Sequence, residues 1–223
     1  MTKRVLLAWS SGKDSAWALQ RLRADPSLEV VGLFTTVYEA SDRVAVHGVP
    51  RTLLRAQAAS AGLVLHEIAI PQPCPNTVYE EQLGRFAVQA RRDGVQALAF
   101  GDLFLEEIRR YREQQFAQSG LELLFPLWGE PTRALAEEMT AAGLRAWITV
   151  VDAKRAPRDW AGRCYDAPFV AAIPDPVDPC GERGEFHSFA FAGPMFGHPI
   201  RAQPGALHER DGFVYADLVS SAP

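Results

Sequence analysis

The amino-acid sequence predicts an α/β protein with a doubly wound parallel sheet, followed by a small β-containing C-terminal unit. Short apolar runs of strand length alternate with segments of helical spacing over about 150 residues, which is typical of parallel βαβ units. Small polar residues and glycines come directly after several of these strands. The alternation stops after Asp152 and gives way to a proline-rich segment and hairpin signals. We therefore expect one domain over residues 1–153 and a second over residues 154–223.

Each element of the alternation has its own local signal. Val5 to Ala8 form an apolar run, and Glu29 to Val37 form a nearly continuous apolar and β-branched run, so both predict buried strands. Glycine and proline mark most of the boundaries between elements. In order, we predict a strand ending at residue 8, a helix through residues 16–22, strand 29–37, helix 50–61, strand 63–70, helix 76–92, strand 97–100, a charged helix, strand 121–127, helix 131–142 and strand 146–151.

The sequence SSGKDS at residues 10–15 lies between the first strand and the first helix. In this layout, loop amides and a helix N-terminus converge on an anion, and the serine hydroxyls add donors. Lys13 supplies a compact cation, and Asp14 could hold a magnesium ion that shares the phosphate charge. The segment is therefore a candidate phosphate loop. The alternative is an ordinary strand-to-helix turn capped by serine.

Residue spacing excludes two other phosphate loops. A Walker A loop requires glycine where this chain has Leu7 and serine or threonine where it has Asp14. A dinucleotide-binding fingerprint requires three glycines at fixed offsets, and only Gly12 is present.

Composition limits the class of protein further. The chain has 223 residues, of which 48% are hydrophobic and 22% charged, as in a globular protein with one substantial core. The net charge of -4 and the pI near 5.8 argue against general nucleic-acid binding. No apolar run is long enough to span a bilayer, and no signal-peptide pattern follows Met1, so we expect a cytoplasmic protein. The three cysteines show no zinc-binding spacing.

Three further segments carry a more specific pattern. Residues 46–50 are VHGVP, residues 101–109 are GDLFLEEIR, and residues 178–189 are DPCGERGEFHSF, followed by GPMF at residues 193–196. With the phosphate loop, they resemble the diphthine–ammonia ligase-related branch of the ATP pyrophosphatase superfamily. The resemblance runs from the first strand to about residue 196, and the C-terminal segment is its most specific part. The chain departs from the family pattern at Ser11 (usually glycine), Arg183 (usually Asn or Gly) and Ser188 (usually Thr).

The resemblance implies a fold and a reaction. The fold is the adenine nucleotide alpha hydrolase-like (HUP, Rossmann-like) arrangement. The reaction uses ATP and Mg2+ to adenylate a carboxylate with release of pyrophosphate, after which ammonia displaces AMP to form an amide. In relatives the acceptor is a modified histidine of elongation factor 2. For this chain the acceptor is open and could be a protein, and a homodimer is also open.

The resemblance also implies site residues. For nucleotide binding these are Ser10, Ser11, Gly12, Lys13, Asp14, Ser15, His47, Gly101 and Asp102, with Asp14 as the metal ligand. For catalysis they are Lys13, Asp14, Glu182, Glu185 and His187, and for substrate binding Glu106, Arg109, Glu182, Glu185 and His187. We expect the last three to serve the acceptor and ammonia, because a carboxylate or a neutral imidazole can take a proton from ammonium.

Each of these residues also has a structural interpretation. His47 could be solvated in a polar loop, and Asp102 could cap the following helix. Glu106 and Arg109 could form a surface ion pair. The carboxylates near His187 could be a polar hairpin edge.

Two other classes of function stay open. A non-catalytic adenine-nucleotide sensor on the same fold would need neither Asp14 nor the C-terminal carboxylates. An AMP-forming tRNA-modifying enzyme would need a basic patch, which the acidic composition disfavours.

Overall fold

The computed structural model describes residues 2–40 and 49–220. Helices and strands follow one another in the order predicted for the first two-thirds of the chain. They are β1 Lys3–Ala8, α1 Lys13–Ala24, β2 Leu28–Tyr38, α2 Arg51–Ser60, β3 Val64–Ile70, α3 Asn76–Arg92, β4 Ala97–Ala99, α4 Glu106–Phe116, β5 Glu122–Leu124, α5 Thr132–Ala141, β6 Arg145–Asp152, a 3-10 turn Arg158–Trp160, β7 Cys164–Tyr165, α6 Ala167–Ala171, β8 Phe186–Ala192, β9 Ala202–Arg210 and β10 Phe213–Ser220.

The first sheet has five strands in the order β3-β2-β1-β4-β5, and every neighbouring pair is parallel. This confirms the predicted doubly wound α/β fold. The strand order reverses between β1 and β4, so a crevice opens there at the carboxyl ends of the strands. The loop after β1 and the Gly101–Asp102 pair after β4 both lie at this crevice. One cluster of buried apolar side chains includes Leu6, Phe34 and Leu98, while a larger one includes Leu7 and Ala99. The alternation along β1 and β4 thus packs both faces of the sheet.

The second sheet is antiparallel and contains β6 to β10, with β6 paired to β8, β7 and β10. The prediction that residues 146–151 continue the parallel sheet was therefore wrong. An apolar strand that is buried on both faces fits the centre of a parallel or of an antiparallel sheet. The pattern therefore did not reveal that β6 pairs with β8, which lies much later in the chain. The hairpin signals of the C-terminal part include the pair Asp211-Gly212, and the hairpin is confirmed there, since these two residues join β9 to β10 with φ of 54° and 85°.

Hydrogen bonds join the C-terminal part of the chain to the helices of the first sheet. The Arg23 side chain donates to the Met195 carbonyl at 2.9 Å and to the Ala61 carbonyl at 2.5 Å. The Gly197 amide donates to the Ser60 carbonyl at 2.7 Å. The two sheets therefore pack as neighbours with shared buried side chains. The division into domains at residue 153 stays a prediction.

None of the helices in the described ranges combines the length and the apolar character that crossing a membrane requires.

Candidate active site

A cleft of about 380 Å³ lies at the crevice between β1 and β4. Most of the phosphate loop, the Gly101–Asp102 pair and side chains of α3 and α4 line it. The remaining wall comes from the C-terminal part of the chain, and its lining residues are Cys180, Gly181, Glu182, Gly184, Phe186, His187 and Ser188. We call residues 178–188 the acceptor segment. The acceptor segment thus folds over the strand ends near the loop and Asp102.

Ser11 adopts the backbone conformation that favours glycine, with φ of +68°. Serine is strained in this conformation because of its Cβ atom. Glycine, which the related family usually carries at this position, adopts the conformation without strain. The Ser11 side chain is buried, and its hydroxyl has no hydrogen-bond partner in residues 2–40 and 49–220. Its carbonyl, in contrast, accepts a hydrogen bond from the Ala190 amide at 2.9 Å. The substitution leaves the loop in its left-handed turn and fixes it to β8.

Serine hydroxyls bond one another within the loop. Ser10 Oγ lies 3.1 Å from Ser15 Oγ and accepts a bond from the Gly12 amide at 3.3 Å. Ser15 Oγ donates to the Gly12 carbonyl at 3.0 Å. The Lys13 amide, at the start of α1, donates to Ser188 Oγ at 3.2 Å, so a serine of β8 caps this helix. The loop is therefore held in shape before any anion binds.

Two glycines permit close backbone approaches at the loop. A Cβ atom on Gly12 would lie 3.3 Å from both Ser10 Oγ and the Ser188 carbonyl oxygen. A Cβ on Gly101 would lie 3.1 Å from backbone atoms of Asp14 and Ser15. Both distances are shorter than ordinary van der Waals contact, so a side chain at either position would displace the loop.

Lys13 is buried between the loop and the acceptor segment, with only 2% of its surface exposed. Its Nζ donates to both carboxylate oxygens of Asp14, at 2.9 and 2.8 Å, and to the Cys180 carbonyl. The same ammonium lies 5.6 Å from the centre of the Tyr165 ring and 5.5 Å from that of Phe186, within the range of cation–π attraction. Lys13 thus links the N-terminal and C-terminal walls of the cleft.

The Lys13–Asp14 pair controls the charge at the loop. Burial alone would lower the pKa of Lys13, but the Asp14 carboxylate, together with Cys180 and Glu182, raises that pKa overall. Lys13 therefore keeps its charge at neutral pH. Burial raises the pKa of Asp14, and the attraction of Lys13 opposes this shift. Burial also raises the pKa of the Cys180 thiol, so this cysteine contributes its backbone carbonyl rather than a nucleophilic thiolate.

Glu182 is the carboxylate of the acceptor segment that faces the cleft. Its Oε1 accepts a hydrogen bond from the Leu103 amide at 2.9 Å, which fixes it beside the end of β4. Burial raises the pKa of Glu182 to about 7, helped by the negative charges of Asp14 and Asp102, while the Leu103 bond and Lys13 oppose the shift. A carboxyl group with this pKa exchanges protons readily at neutral pH.

The other two predicted residues of the segment occupy different environments. His187 lies in β8 opposite Val150 and lines the cleft. Glu185 is 4% exposed and is not part of the cleft lining. One of its oxygens accepts a bond from the Asp178 amide at 3.2 Å, and Oε2 has no partner in the described part of the chain. Glu185 therefore supports the Asp178 turn beneath the cleft, and its catalytic role stays a prediction.

Asp102 forms a two-point ion pair with Arg112 of α4, at 2.5 and 3.0 Å, so the capping interpretation is not what the structure shows. The predicted Glu106–Arg109 pair is also not observed. Arg109 instead pairs with Glu113 at 2.9 Å. Neither Glu106 nor Arg109 lines the cleft, so their substrate-binding roles stay predictions.

The predicted site residue His47 falls outside the described residues, and its role in nucleotide binding stays a prediction.

Sequence reasoning missed a buried glutamine that braces the loop. Gln57 of α2 is fully buried and accepts a hydrogen bond from Trp9 Nε1 at 2.9 Å. Its amide nitrogen donates to the Ser11 carbonyl at 2.9 Å and to the Ala190 carbonyl at 2.7 Å. A signal was available, because Gln57 follows Leu53 at helical spacing and so lies on the apolar face of α2. A polar residue in that position indicates a buried hydrogen-bonding role.

The fold and the cleft together define a class of protein, an α/β phosphate-loop protein whose C-terminal sheet completes the site. Two family models match the chain. One, the diphthamide synthase N-terminal domain, matches residues 3–123, and the other, the diphthamide synthase C-terminal domain, matches residues 131–215. The first match alone covers more than half of the sequence. The chain belongs to the diphthamide synthase family.

Comparison with individual proteins adds little. No curated protein matches this chain. Among solved structures it is similar to a protein from Sinorhizobium meliloti 1021 described as a myo-inositol dehydrogenase, with 16% identity and a TM-score of 0.32. The alignment covers 71% of this chain and 48% of that one, so the chain spans about half the length of that protein. The likeness says nothing about activity.

Proposed function

We propose that this chain adenylates a carboxylate with ATP, releasing pyrophosphate, and then joins ammonia to the activated carboxylate with release of AMP. The observation that supports the proposal most directly is a shared cleft. The phosphate loop and the acceptor segment, which lie far apart in sequence, line one cavity, and Lys13 bonds to both. An adenylation site needs an anion-binding half and an acceptor half in contact, and this cleft supplies both.

The first step needs stabilisation of charge on the departing pyrophosphate. The acceptor carboxylate attacks the α-phosphorus, and the bond to the bridging oxygen of the β-phosphate breaks. Loop amides at the N-terminus of α1 would stabilise the negative charge that develops. The hydroxyls of Ser10 and Ser15 line the same part of the cleft and are already oriented by their bond to each other. This preorganisation lowers the cost of orienting donors during the reaction.

Asp14 fits one position in a magnesium site. Its carboxylate lines the cleft and supplies the hard oxygen atoms that Mg2+ prefers. No group of three or more His, Cys, Asp or Glu that could hold a metal occurs within residues 2–40 and 49–220. A magnesium ion that takes the one carboxylate of Asp14 would complete its shell with phosphate oxygens and water. When bound, the ion would offset charge on the phosphates.

The second step needs ammonia in its neutral form. Ammonium dominates at neutral pH, so a base must take a proton before nitrogen attacks the acyl carbon and AMP leaves. Glu182 is suited to this role because it lines the cleft and its pKa of about 7 makes it half ionised near neutrality. His187 lines the same wall and is a second candidate base. No covalent enzyme intermediate is needed, in agreement with the inert environment of Cys180.

Product analysis tests the proposal. The purified chain would be incubated with ATP, magnesium and isotope-labelled ammonium, with elongation factor 2 carrying diphthine as one acceptor and cell extract as another source. We expect AMP, pyrophosphate and a labelled amide in the acceptor. Production of ADP and inorganic phosphate without AMP would refute the proposal. Tight binding of ATP with no turnover from any acceptor source would favour the sensor, and AMP formation that depends on tRNA would favour the tRNA-modifying alternative.

A further inference from the structure

The cleft has two chemically different ends. The end at the phosphate loop is lined by serines, Lys13 and Asp14. The other end, which we call the inner end, runs between α3 and α4 and is lined by Phe34, Tyr79, Leu83, Gln115 and Phe116. Phe34 and Phe116 are nearly inaccessible, at 4% and 3% exposure, and both flank the Phe100 ring at centroid distances of 6.0 and 5.8 Å. The inner end is therefore a mostly apolar and aromatic pocket, bordered by the Arg112–Asp102 ion pair, in which the guanidinium lies 4.4 Å from the centre of the Phe100 ring.

Gln115 is the neutral amide side chain at this end, and its amide is unsatisfied. Both the amide oxygen and the amide nitrogen are buried, and neither has a hydrogen-bond partner in the described ranges of the chain. A buried amide without partners costs free energy, so native proteins rarely leave one unless a ligand or water completes it. The terminal torsion of a glutamine is soft, so its amide turns toward a ligand at little cost. The proposed reaction gives this side chain no role.

We propose that Gln115 recognises the nucleobase of the bound nucleotide, with its amide oxygen accepting from the 6-amino group of adenine and its amide nitrogen donating to the adjacent ring nitrogen. The inference rests on the proposed function, because it takes the nucleotide phosphates to lie at residues 10–15. A nucleotide has a charged end and a flat heteroaromatic end, which matches the two ends of the cleft. A side-chain amide presents a donor next to an acceptor, and adenine presents the complementary pair along its edge.

Other occupants of the inner end fit the observations less well. A charged acceptor group would be poorly solvated between Leu83 and the phenylalanines. A purely apolar group would leave the Gln115 amide unpaired, as it is without a ligand. A flat base with polar atoms along one edge satisfies both the apolar walls and the amide.

A comparison of three probes on two variants tests this assignment. The probes are ATP, purine riboside triphosphate, which lacks the 6-amino group, and inorganic tripolyphosphate, which lacks the base. The variants are Gln115→Leu and the matched control Gln114→Leu, since Gln114 is exposed on the same helix. We expect the parent and Gln114→Leu to bind ATP about tenfold more tightly than purine riboside triphosphate. Gln115→Leu should bind both with the weaker affinity and bind tripolyphosphate unchanged.

The outcomes separate this inference from the proposed function. If the parent binds ATP but Gln115→Leu keeps the same preference for ATP over purine riboside triphosphate, the role of Gln115 is refuted and the proposed function stands. A Gln115→Leu protein that is more stable but has unchanged nucleotide affinities would refute it as well, because the amide would then be only an unpaired buried group. If the parent binds neither ATP nor tripolyphosphate, both proposals are wrong. Glu in place of Gln115 keeps the acceptor and removes the donor to the ring nitrogen that both nucleotides carry, so Gln115→Glu should bind both more weakly and keep the preference for ATP over purine riboside triphosphate.

Discussion

The two walls of the cleft obtain their shape in different ways. The phosphate loop, residues 10–15, has hydrogen bonds between its own serines and follows directly from β1 into α1, and Gln57 and Ser188 brace its backbone from outside. The acceptor segment, residues 178–188, has little regular structure of its own before β8. It is held by distant partners, chiefly Lys13 and the Leu103 amide.

This difference explains which functions each wall can perform. A backbone loop between a strand and a helix binds a constant chemical group, such as a phosphate, through amides that do not titrate. Side chains brought together by tertiary packing acquire shifted pKa values, as Glu182 does, because burial and neighbouring charges act on them. The loop is therefore suited to anion binding and the acceptor segment to proton transfer.

The largest expected effect comes from filling the space at the loop. Gly12→Val places a branched side chain where even a lone Cβ atom would lie 3.3 Å from the Ser188 carbonyl oxygen. We expect ATP affinity to fall on the order of 100-fold, because the loop amides would be displaced from the phosphates. Isothermal titration with ATP measures the change. Gly84→Val in α3 is the control, since a Cβ there has no atom within 4 Å. Equal ATP affinity in both variants would mean that the loop is only a structural turn.

The second prediction concerns the link between the walls. Lys13→Ala leaves the Asp14 carboxylate without its ion pair and frees the Cys180 carbonyl, so we expect a loss of about 3–5 kcal/mol in the free energy of unfolding. Urea denaturation measures it. Lys154→Ala, at an exposed lysine, should change stability by less than about 0.5 kcal/mol.

A double variant sharpens the result. Removing Asp14 as well should restore part of the lost stability, because no buried carboxylate remains unpaired. If Lys13→Ala is as stable as Lys154→Ala, Lys13 does not hold the two walls together.

The third prediction tests the acceptor segment directly. Glu182→Gln should lower the rate of amide formation about 100-fold and leave the Kd for ATP within about twofold, since it removes the proposed base but no loop contact. In the parent the rate should rise with pH through about 7, as Glu182 loses its proton, and this limb should be absent from the variant. Glu107→Gln, exposed on α4, is the control. Glu185→Gln separates the two carboxylates. If it alone removes amide formation, Glu185 rather than Glu182 is the base.

Stability against pH gives a second readout of Glu182 that needs no acceptor. Its pKa is raised from 4.5 to about 7 on folding, so the folded state binds the proton more tightly. The stabilisation is fully present below pH 4.5 and is lost as the pH rises through about 7. Between pH 4.5 and a pH above about 7, the free energy of unfolding of the parent should therefore fall by up to about 3 kcal/mol relative to that of Glu182→Gln. Parallel curves for the two proteins would contradict the raised pKa.

The smallest expected effect is at Ser11. Ser11→Gly should stabilise the protein by about 1 kcal/mol, because it relieves the left-handed backbone strain and removes a buried hydroxyl without a partner. ATP affinity should stay within about twofold. Ser10→Gly removes two loop hydrogen bonds instead and should destabilise. A destabilised Ser11→Gly protein would show that the serine hydroxyl has a role the structure does not reveal.

The sequence by itself determined the local features of this protein. Apolar runs and glycine boundaries predicted six strands, five of which form the parallel sheet, because each strand and its following loop are encoded within a few consecutive residues. The SSGKDS loop was predicted in the same way. The motif around Glu182 and His187 pointed to a site through resemblance, without showing what either residue contacts.

Only the tertiary structure decided which sheet β6 joins and which residues face the cleft. Strand pairing depends on a partner that can lie anywhere in the chain, so β6 was assigned to the wrong sheet. Burial and charge depend on neighbours that folding brings together, which is why Glu182 and Glu185, three residues apart, differ in exposure to the cleft. For the same reason the sequence did not show that the Lys13 ammonium bonds to Asp14 and Cys180 and so joins the two walls, while its role at the phosphates stays a prediction.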